Sequence, residues 1–293
     1  NCIRTLPYLK DWYSKYADEG LVIVGVHSPE FEFEKLTENV VSSVTSFELE
    51  YLIAQDNDFG TWRAYGNRFW PAKYPVDQDG TVRYVHFGEG AYDETEERIR
   101  TLLEEAGVDL TGVAVNDTPP PETDPRALAR DRATGTTREI YGGYLRNASS
   151  QGIYVADPVY YDEPERVFEY HDTGVHQNQF IYLQGLWFNG LEELRHARQT
   201  EDYEDHIALK FFATSVNTVI SFEGEEPFDV NVTIDGRPLL PGEAGTDMMI
   251  SEGRSFFAVD QARLYEVVAL PEFGGHELTL SSNSPDFAFF AFT

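Results

Sequence analysis

Four prolines fall within ten residues of this chain, at 119, 120, 121 and 125 of the run 116–125. Proline has no backbone N–H and a fixed φ, so no helix or central strand continues through such a run. Acidic residues surround the prolines and no apolar periodicity crosses them, which describes a partly extended linker. At 293 residues the chain is long enough for a separate core on each side. The expected organisation is a first domain over 1–112, a linker over 113–135 and a second domain over 136–293.

The two sides carry different hydrophobic patterns. Before the linker, Ile3, Leu6, Leu9, Trp12, Tyr13 and Tyr16 recur at helical spacing, with Pro7 expected to kink the helix. The apolar, β-branched run 21–26 reads as a strand buried on both faces of a parallel sheet. A second helix is expected over 33–47, a short strand over 51–54 and a short helix over 59–67. Residues 73–76 and 82–87 flank Asp77-Gln78-Asp79-Gly80, a hairpin turn signal. Asp93 then opens a helix through Ile99, Leu102 and Leu103 that Gly107 closes. The result is an α/β layer lacking a strand before its first helix.

After the linker come short β-type runs separated by turns, at 153–155, 180–183, 207–212, 218–222, 229–234, 263–268, 276–280 and 287–292. Val230, Val232 and Ile234 alternate, and Asp235-Gly236 closes a turn. Regular short strands with almost no helix predict an antiparallel β-sandwich, jelly-roll-like.

Composition narrows the chemistry. Acidic residues outnumber basic ones by 51 to 22, for a net charge of −29, so nucleic acid is a poor partner. The scarcity of lysine relative to arginine leans towards a salt-adapted source. No apolar run reaches the roughly 18 residues of a membrane span. The chain opens on Asn1 and a polar helical stretch, so a processed or partial chain without a signal peptide is expected. A single cysteine excludes an internal disulfide framework. No phosphate loop, serine elbow or kinase signature occurs. His171 and His176 lack further ligands at zinc spacing. The acid groups at 56–58 and 77–80 are too short for a calcium loop. No metal is expected.

The lone thiol has a telling context. Cys2 begins the first helix and Pro7 follows five residues on, which resembles the second half of a thioredoxin active-site helix. A thiolate at such a helix start is stabilised by free N–H groups and the macrodipole. A partner one turn further in is placed to resolve a mixed disulfide. Trp70-Pro71 precedes the hairpin strand, where that fold carries a cis-proline. Only about 5% of X-Pro bonds are cis by propensity, so the resemblance carries this assignment.

The resemblance extends along the chain. Residues 1–8, 24–31, 69–74 and 87–90 are similar to the soluble C-terminal region of DipZ-type proteins, and 137–143, 183–187, Leu264, Tyr265 and the Phe-rich end agree more loosely. It implies a thioredoxin-like domain of TlpA type followed by a β-sandwich resembling a carbohydrate-binding module. A CcdA-like membrane domain would precede both, placing the chain outside the cytoplasm. The implied function is thiol–disulfide exchange with client protein disulfides, in the reducing direction. It would use a redox-active dithiol and no other cofactor. The missing strand and the first cysteine, two residues before Asn1, would lie upstream.

Cys2 would then be the resolving cysteine, with Trp70 and cis-Pro71 positioning the client backbone. Glu30, at a strand end, is a candidate for proton handling, with a solvated loop acid as the plainer alternative. Tyr141, Trp187 and Tyr265 are candidates for stacking on cell-surface glycan, with ordinary sandwich core as the alternative. Pro75 departs from the family pattern and is expected to distort its strand. The rival function is a redox-inactive scaffold whose sandwich binds glycan or protein. A sandwich that docks on the first domain and narrows its groove is the third.

Overall fold

The computed structural model describes residues 2–115, 135–147, 153–222, 224 and 226–293. Two compact units divide it, Asn1–Arg130 and Asp131–Thr293. Of the expected linker, residues 116–134 lie outside the described residues.

In the first unit α1 spans Cys2–Tyr16, passing through Pro7. Its buried positions are Thr5, Tyr8, Trp12 and Tyr16, three and four apart. They form a core with Ile99, Leu103 and Leu110. Ile99 and Leu103 come from α4, which spans Tyr92–Glu105. Ala91, in the left-handed region at φ 49°, precedes α4, while Asp93 lies inside its first turn. The expected Asp93 cap therefore lies two residues past the cap position, which Ala91 occupies. Its carboxylate still lies at the positive end of the helix dipole.

Strand β1 (Val24–His27) pairs in parallel with β2 (Leu52–Gln55), Val24 opposite Leu52. The expectation of burial on both faces fails. Leu21 and Ile23 pack against the core, whereas Val22, Val24 and Val26 are exposed. Among the described residues β1 has one neighbouring strand and one covered face, and a period of two sends alternate valines outward.

The expected helix over 33–47 begins as a 3-10 turn, Glu32–Lys35, and continues as α2, Thr37–Ser46. Helix α3 is shorter than expected, at Gly60–Ala64. The hairpin ladder also shrinks. Strands β3 (Ala72–Lys73) and β4 (His86–Phe87) pair antiparallel, and pairing resumes only at a Val76–Val82 bridge. Pro75, without a donor, lies in the gap.

The second unit is an antiparallel β-sandwich whose strands order β12-β13-β10-β14-β9-β15-β8-β7-β6, with β5 and β11 paired off this path. In chain order they are β5 Ile140–Tyr141, β6 Val167–Tyr170, β7 Ile181–Asn189, β8 Leu194–His196 and β9 His206–Ser221. Then follow β10 Phe228–Ile234, β11 Arg237–Pro238, β12 Met249–Ser251, β13 Arg254–Val259, β14 Arg263–Ser282 and β15 Ala288–Phe292. Two pairs of expected strands each merge into one long strand, β9 and β14. Irregularities at Glu266/Val268 and Ala269/Gly274 absorb the apparent turn inside β14. Strand β9 pairs with β14 along its length, with β7 at its start and with β15 at its end. Such long irregular strands let two layers share one hydrogen-bonded path. Residues of β7 alternate buried and half-buried throughout. Strand β15 is buried at every position. The expected strand at 153–155 is reduced to a single Val155–Ile181 bridge.

Candidate functional site

Cys2 is the first residue of α1 and precedes Thr5, Tyr8, Trp12 and Tyr16 on the same stripe, so it stands at the head of the buried face. The residue as a whole is exposed. Its thiol is nevertheless pushed up to about 11, chiefly by desolvation, with the positive chain terminus opposing the shift and the carboxylates of Glu34, Glu30 and Glu89 adding to it. The sulfur is therefore held as a neutral thiol at physiological pH.

Three loops supply this environment. The first follows β1. There Glu34 Oε2 accepts from the backbone N–H of Glu30 at 2.6 Å and of Phe31 at 3.4 Å. Glu34 thus caps the 3-10 turn, and His27 Nε2 lies 3.0 Å from the Glu34 carbonyl oxygen.

The second loop contains Trp70-Pro71, whose peptide bond is cis. Trp70 is half-buried, its ring 4.3 Å from that of Trp62, and its Nε1 donates to the Ser28 carbonyl at 3.0 Å. Ser28 Oγ in turn donates to Asp56 Oδ2 at 3.1 Å. Asp56 accepts the N–H groups of Thr61 and Trp62, each at 2.8 Å, at the start of α3. Burial works against the Asp56 carboxylate, but these N–H donors and the hydroxyl of Ser28 hold its pKa below the usual range.

The third loop is 88–90, whose Gly88 and Gly90 have φ of 83° and 85°. Gly88 N–H donates to the Pro71 carbonyl at 2.8 Å. Arg4, in the first turn of α1, grips the Glu89 carboxylate with Nε at 3.0 Å and Nη2 at 2.7 Å. Lys73 is buried behind this turn and donates to the carbonyls of Gly88 and Gly90 at 3.3 and 3.1 Å. The cis-proline loop is thus tied on one side to the loop carrying Glu30 and on the other to the turn carrying Glu89.

Hydrogen bonds therefore link the loops that carry Glu30, Trp70 and Pro71 to one another and, through Glu89 and Arg4, to the first turn of α1, which begins at Cys2. Arg4, Glu34, Lys73 and Glu89 belong to this network and escaped sequence reasoning. Glycines on both sides of Glu89, and a lysine inside an otherwise apolar and aromatic strand, were the available signals.

The stacking residues of the second unit are a correction. Trp187 and Tyr265 are 0% exposed and Tyr141 8%. Trp187 packs on Phe287 and His196, and its Nε1 donates to the Gln184 carbonyl. The Tyr265 hydroxyl donates to the Gln261 carbonyl at 2.6 Å. Tyr141 meets Tyr154 edge-on. None of these rings offers a free face to a sugar. Large rings at inward strand positions fill the space between two sheets.

His176 is held by Asp172 Oδ1 at 2.7 Å and Glu277 Oε2 at 3.1 Å, and Asp172 Oδ2 also meets His206 at 3.0 Å. Among the described residues no group of three or more His, Cys, Asp or Glu side chains is arranged to hold a metal. Among the same residues no helix is long and apolar enough to cross a membrane.

Several known proteins are similar to this chain. A family profile described as "Thioredoxin like C-terminal domain" matches residues 137–293. Protein DipZ of Mycobacterium tuberculosis is 36% identical over 240 residues, which cover 81% of this chain and 31% of that protein. The homologue of the same name in Mycobacterium bovis gives the same figures. The chain thus spans about a third of the length of these curated relatives. The thiol-disulfide oxidoreductase YkuV of Bacillus subtilis is 26% identical over 104 residues, covering 36% of this chain and 70% of YkuV. Among solved structures, a thioredoxin-like protein in the oxidized form is 25% identical with a TM-score of 0.32, covering 35% of this chain and 68% of that one.

Proposed function

We propose, from the premise that this chain belongs to the thioredoxin like C-terminal domain family, that it is the soluble part of a thiol–disulfide oxidoreductase in which Cys2 is the resolving cysteine. The observation that carries the reading is Cys2 at the head of the buried face of α1, whose first turn is bonded through Arg4 to Glu89 of the 88–90 turn, itself bonded to the cis Trp70-Pro71 loop. The names of YkuV and DipZ among its relatives support it.

The mechanism needs a first cysteine two residues before Asn1. As a thiolate, that cysteine attacks one sulfur of a client disulfide, forming a mixed disulfide and expelling the other client sulfur. The Cys2 thiol loses its proton and attacks the first cysteine's sulfur. The second client thiolate leaves and takes up a proton, so the client gains two electrons and the dithiol becomes a disulfide. A neutral Cys2 suits this order, because it does not compete as nucleophile before the mixed disulfide forms. Glu30 and Glu34, whose charges act on the Cys2 thiol, are the candidate acceptors of its proton. Trp70 and Pro71 present the client backbone to the sulfurs. The reaction uses no cofactor beyond the dithiol.

The extracytoplasmic location, the supply of electrons by a CcdA-like membrane domain and the reducing direction belong to the same proposal. The relatives' greater length leaves room for such a domain.

The test extends the chain with its natural upstream residues and replaces Cys2 with serine. Mixed disulfides with client proteins should accumulate and be released by dithiothreitol. A residue other than cysteine two positions before Asn1, or no trapped client, sinks the dithiol mechanism.

A further inference from the structure

The hairpin after Pro71 has one covered face and one open one. Lys73 points inward, its Nζ 5.0 Å from the centroid of the Tyr92 ring at the start of α4. Successive strand residues alternate, so Tyr74 points the other way. Ala72 pairs with Phe87, which puts Phe87 on the face of Tyr74. The rings on that open face form a row. Tyr65 meets Tyr74 edge-on at 5.1 Å, Tyr74 meets Phe87 at 6.1 Å, and Phe87 meets Phe69 at 5.5 Å. Tyr65, Phe69 and Phe87 stay 48%, 54% and 46% exposed. Exposed apolar residues scattered singly need no explanation, whereas a contiguous group marks a contact surface.

The row is held in place by Asn67. Its Oδ1 accepts the Tyr74 hydroxyl at 3.1 Å, and its Nδ2 donates to the Phe69 carbonyl at 3.0 Å. The Asn67 N–H donates to the Trp62 carbonyl at 2.9 Å, which ties the row to α3. Rings fixed in advance lose little freedom when a partner covers them.

Position gives the row its occupant. Phe69 is the residue before Trp70-Pro71, and Phe87 precedes Gly88, whose N–H bonds the Pro71 carbonyl at 2.8 Å. A polypeptide laid along Trp70 and Pro71 therefore reaches these rings within a residue or two, at roughly 3.3 Å per extended residue. Charge narrows the class further. Arg63 and Arg68 flank the row in sequence and are exposed, and among the described residues neither side chain has an ion-pair partner. In a chain with 51 acidic residues against 22 basic ones, two unpaired arginines beside aromatic rings favour an acidic partner. Aromatic residues and arginine are also the side chains enriched where proteins meet.

We propose that Tyr65, Phe69, Tyr74 and Phe87, with Arg63 and Arg68, form the docking surface for the client segment beside the disulfide, and that this segment is extended, apolar and acidic. The inference rests on the reading of Trp70-Pro71 as the loop that positions the client, and it adds the class of sequence selected there. None of the six side chains takes part in the exchange of sulfurs.

The test needs no thiol. A fluorescein-labelled peptide of about twelve residues, with phenylalanine and glutamate alternating around a central serine, is titrated with the whole 293-residue chain and followed by anisotropy. Binding should saturate. Phe69→Ala combined with Phe87→Ala should weaken it at least about tenfold, and Arg63→Glu combined with Arg68→Glu about three- to tenfold with a flatter salt dependence. A peptide with lysine in place of glutamate should bind about tenfold more weakly. Val41→Ser, at an exposed apolar position on α2, should leave binding unchanged. Absence of saturable binding, equal binding of the lysine peptide or undiminished binding by the phenylalanine variant overturns the proposal. So does an equal loss in Val41→Ser, which is general apolar stickiness. A dimer in sedimentation that Phe69→Ala dissociates would give the rings to a second copy of this chain, and overturns it too. The arginine variant leaves the rings in place and carries the comparison if the phenylalanine variant does not fold. The peptide holds no cysteine, so failure of the dithiol mechanism leaves this outcome readable, and failure of peptide binding leaves the trapping of clients by Cys2→Ser untouched.

Discussion

Trp70 Nε1 donates to the Ser28 carbonyl oxygen at 3.0 Å across 42 residues of chain. That bond fastens the cis-proline loop to the loop after β1, and Ser28 Oγ passes the connection to Asp56 at the start of α3. Trp70→Phe keeps an aromatic ring against Trp62 and removes the donor. It should cost the first unit about 1 kcal/mol while leaving the second unit unaffected. Urea denaturation followed by tryptophan fluorescence and circular dichroism separates the two units.

Cys2 gives a stability-versus-pH prediction of known sign. Its folded thiol titrates near 11 against an ordinary 9.0, so the folded state binds the proton more tightly than the unfolded one. The resulting stabilisation is complete below pH 9 and is lost as pH rises towards 11. Cys2→Ser should remove this alkaline dependence, as measured by thermal melts across that range. Alkylation of wild-type Cys2 at pH 7.5 should run about a hundredfold below an unperturbed thiol.

Trp187 carries a prediction about packing. It is fully buried between Phe287 and His196, so Trp187→Ala should destabilise the second unit by about 3–5 kcal/mol through lost burial and a residual cavity. A loss below 1 kcal/mol in denaturant titration would contradict its place in the core.

His196 and Asp205 form a buried clasp. His196 Nε2 lies 2.8 Å from Asp205 Oδ2, and its Nδ1 faces the Ser284 carbonyl at 2.9 Å. Arg198 grips the same carboxylate with Nε at 2.6 Å. Asp205→Asn should cost about 3–5 kcal/mol because it breaks the buried carboxylate's bonds to Arg198 and His196. Urea denaturation of the second unit reads that loss, and a loss below about 1 kcal/mol would contradict the network's role in stability.

Arg237 holds Glu243 in a bidentate pair with both contacts at 2.8 Å. This pair, with the Leu240 N–H, lowers the Glu243 carboxyl from 4.5 to about 2. Its stabilisation is present above pH 4.5 and disappears as pH falls through 2. The pair faces water, so the effect on stability is small. Carbon-13 NMR should follow the low titration directly, and Arg237→Met should return Glu243 to the usual carboxylate range.

Much of the architecture was legible from local pattern. The 3–4 spacing of Thr5, Tyr8, Trp12 and Tyr16 sets α1 and its buried stripe before any partner is known. The alternation of Val230, Val232 and Ile234 likewise sets the inward face of β10. What failed depended on neighbours. The valines at 22, 24 and 26 read as buried because nothing in their own sequence says how many strands will flank them. The glycines and proline inside β14 read as a turn, yet the long partner β9 keeps the strand paired on both sides of an irregularity. Trp187, Tyr141 and Tyr265 look the same in sequence whether a ring is core or platform, and only burial separates the two.

The sequence by itself determined two units of different class, and it picked out Cys2 and Trp70-Pro71 from the order of a few residues. These are properties of the chain within one or two turns, where spacing and backbone chemistry decide. Only the tertiary structure decided what acts on Cys2. The charges of Glu30, Glu34 and Glu89 reach it from two loops more than fifty residues apart, and Lys73 joins them through carbonyls that any sequence would supply. The field at a sulfur depends on distance and burial, which fall off in space and not along the chain.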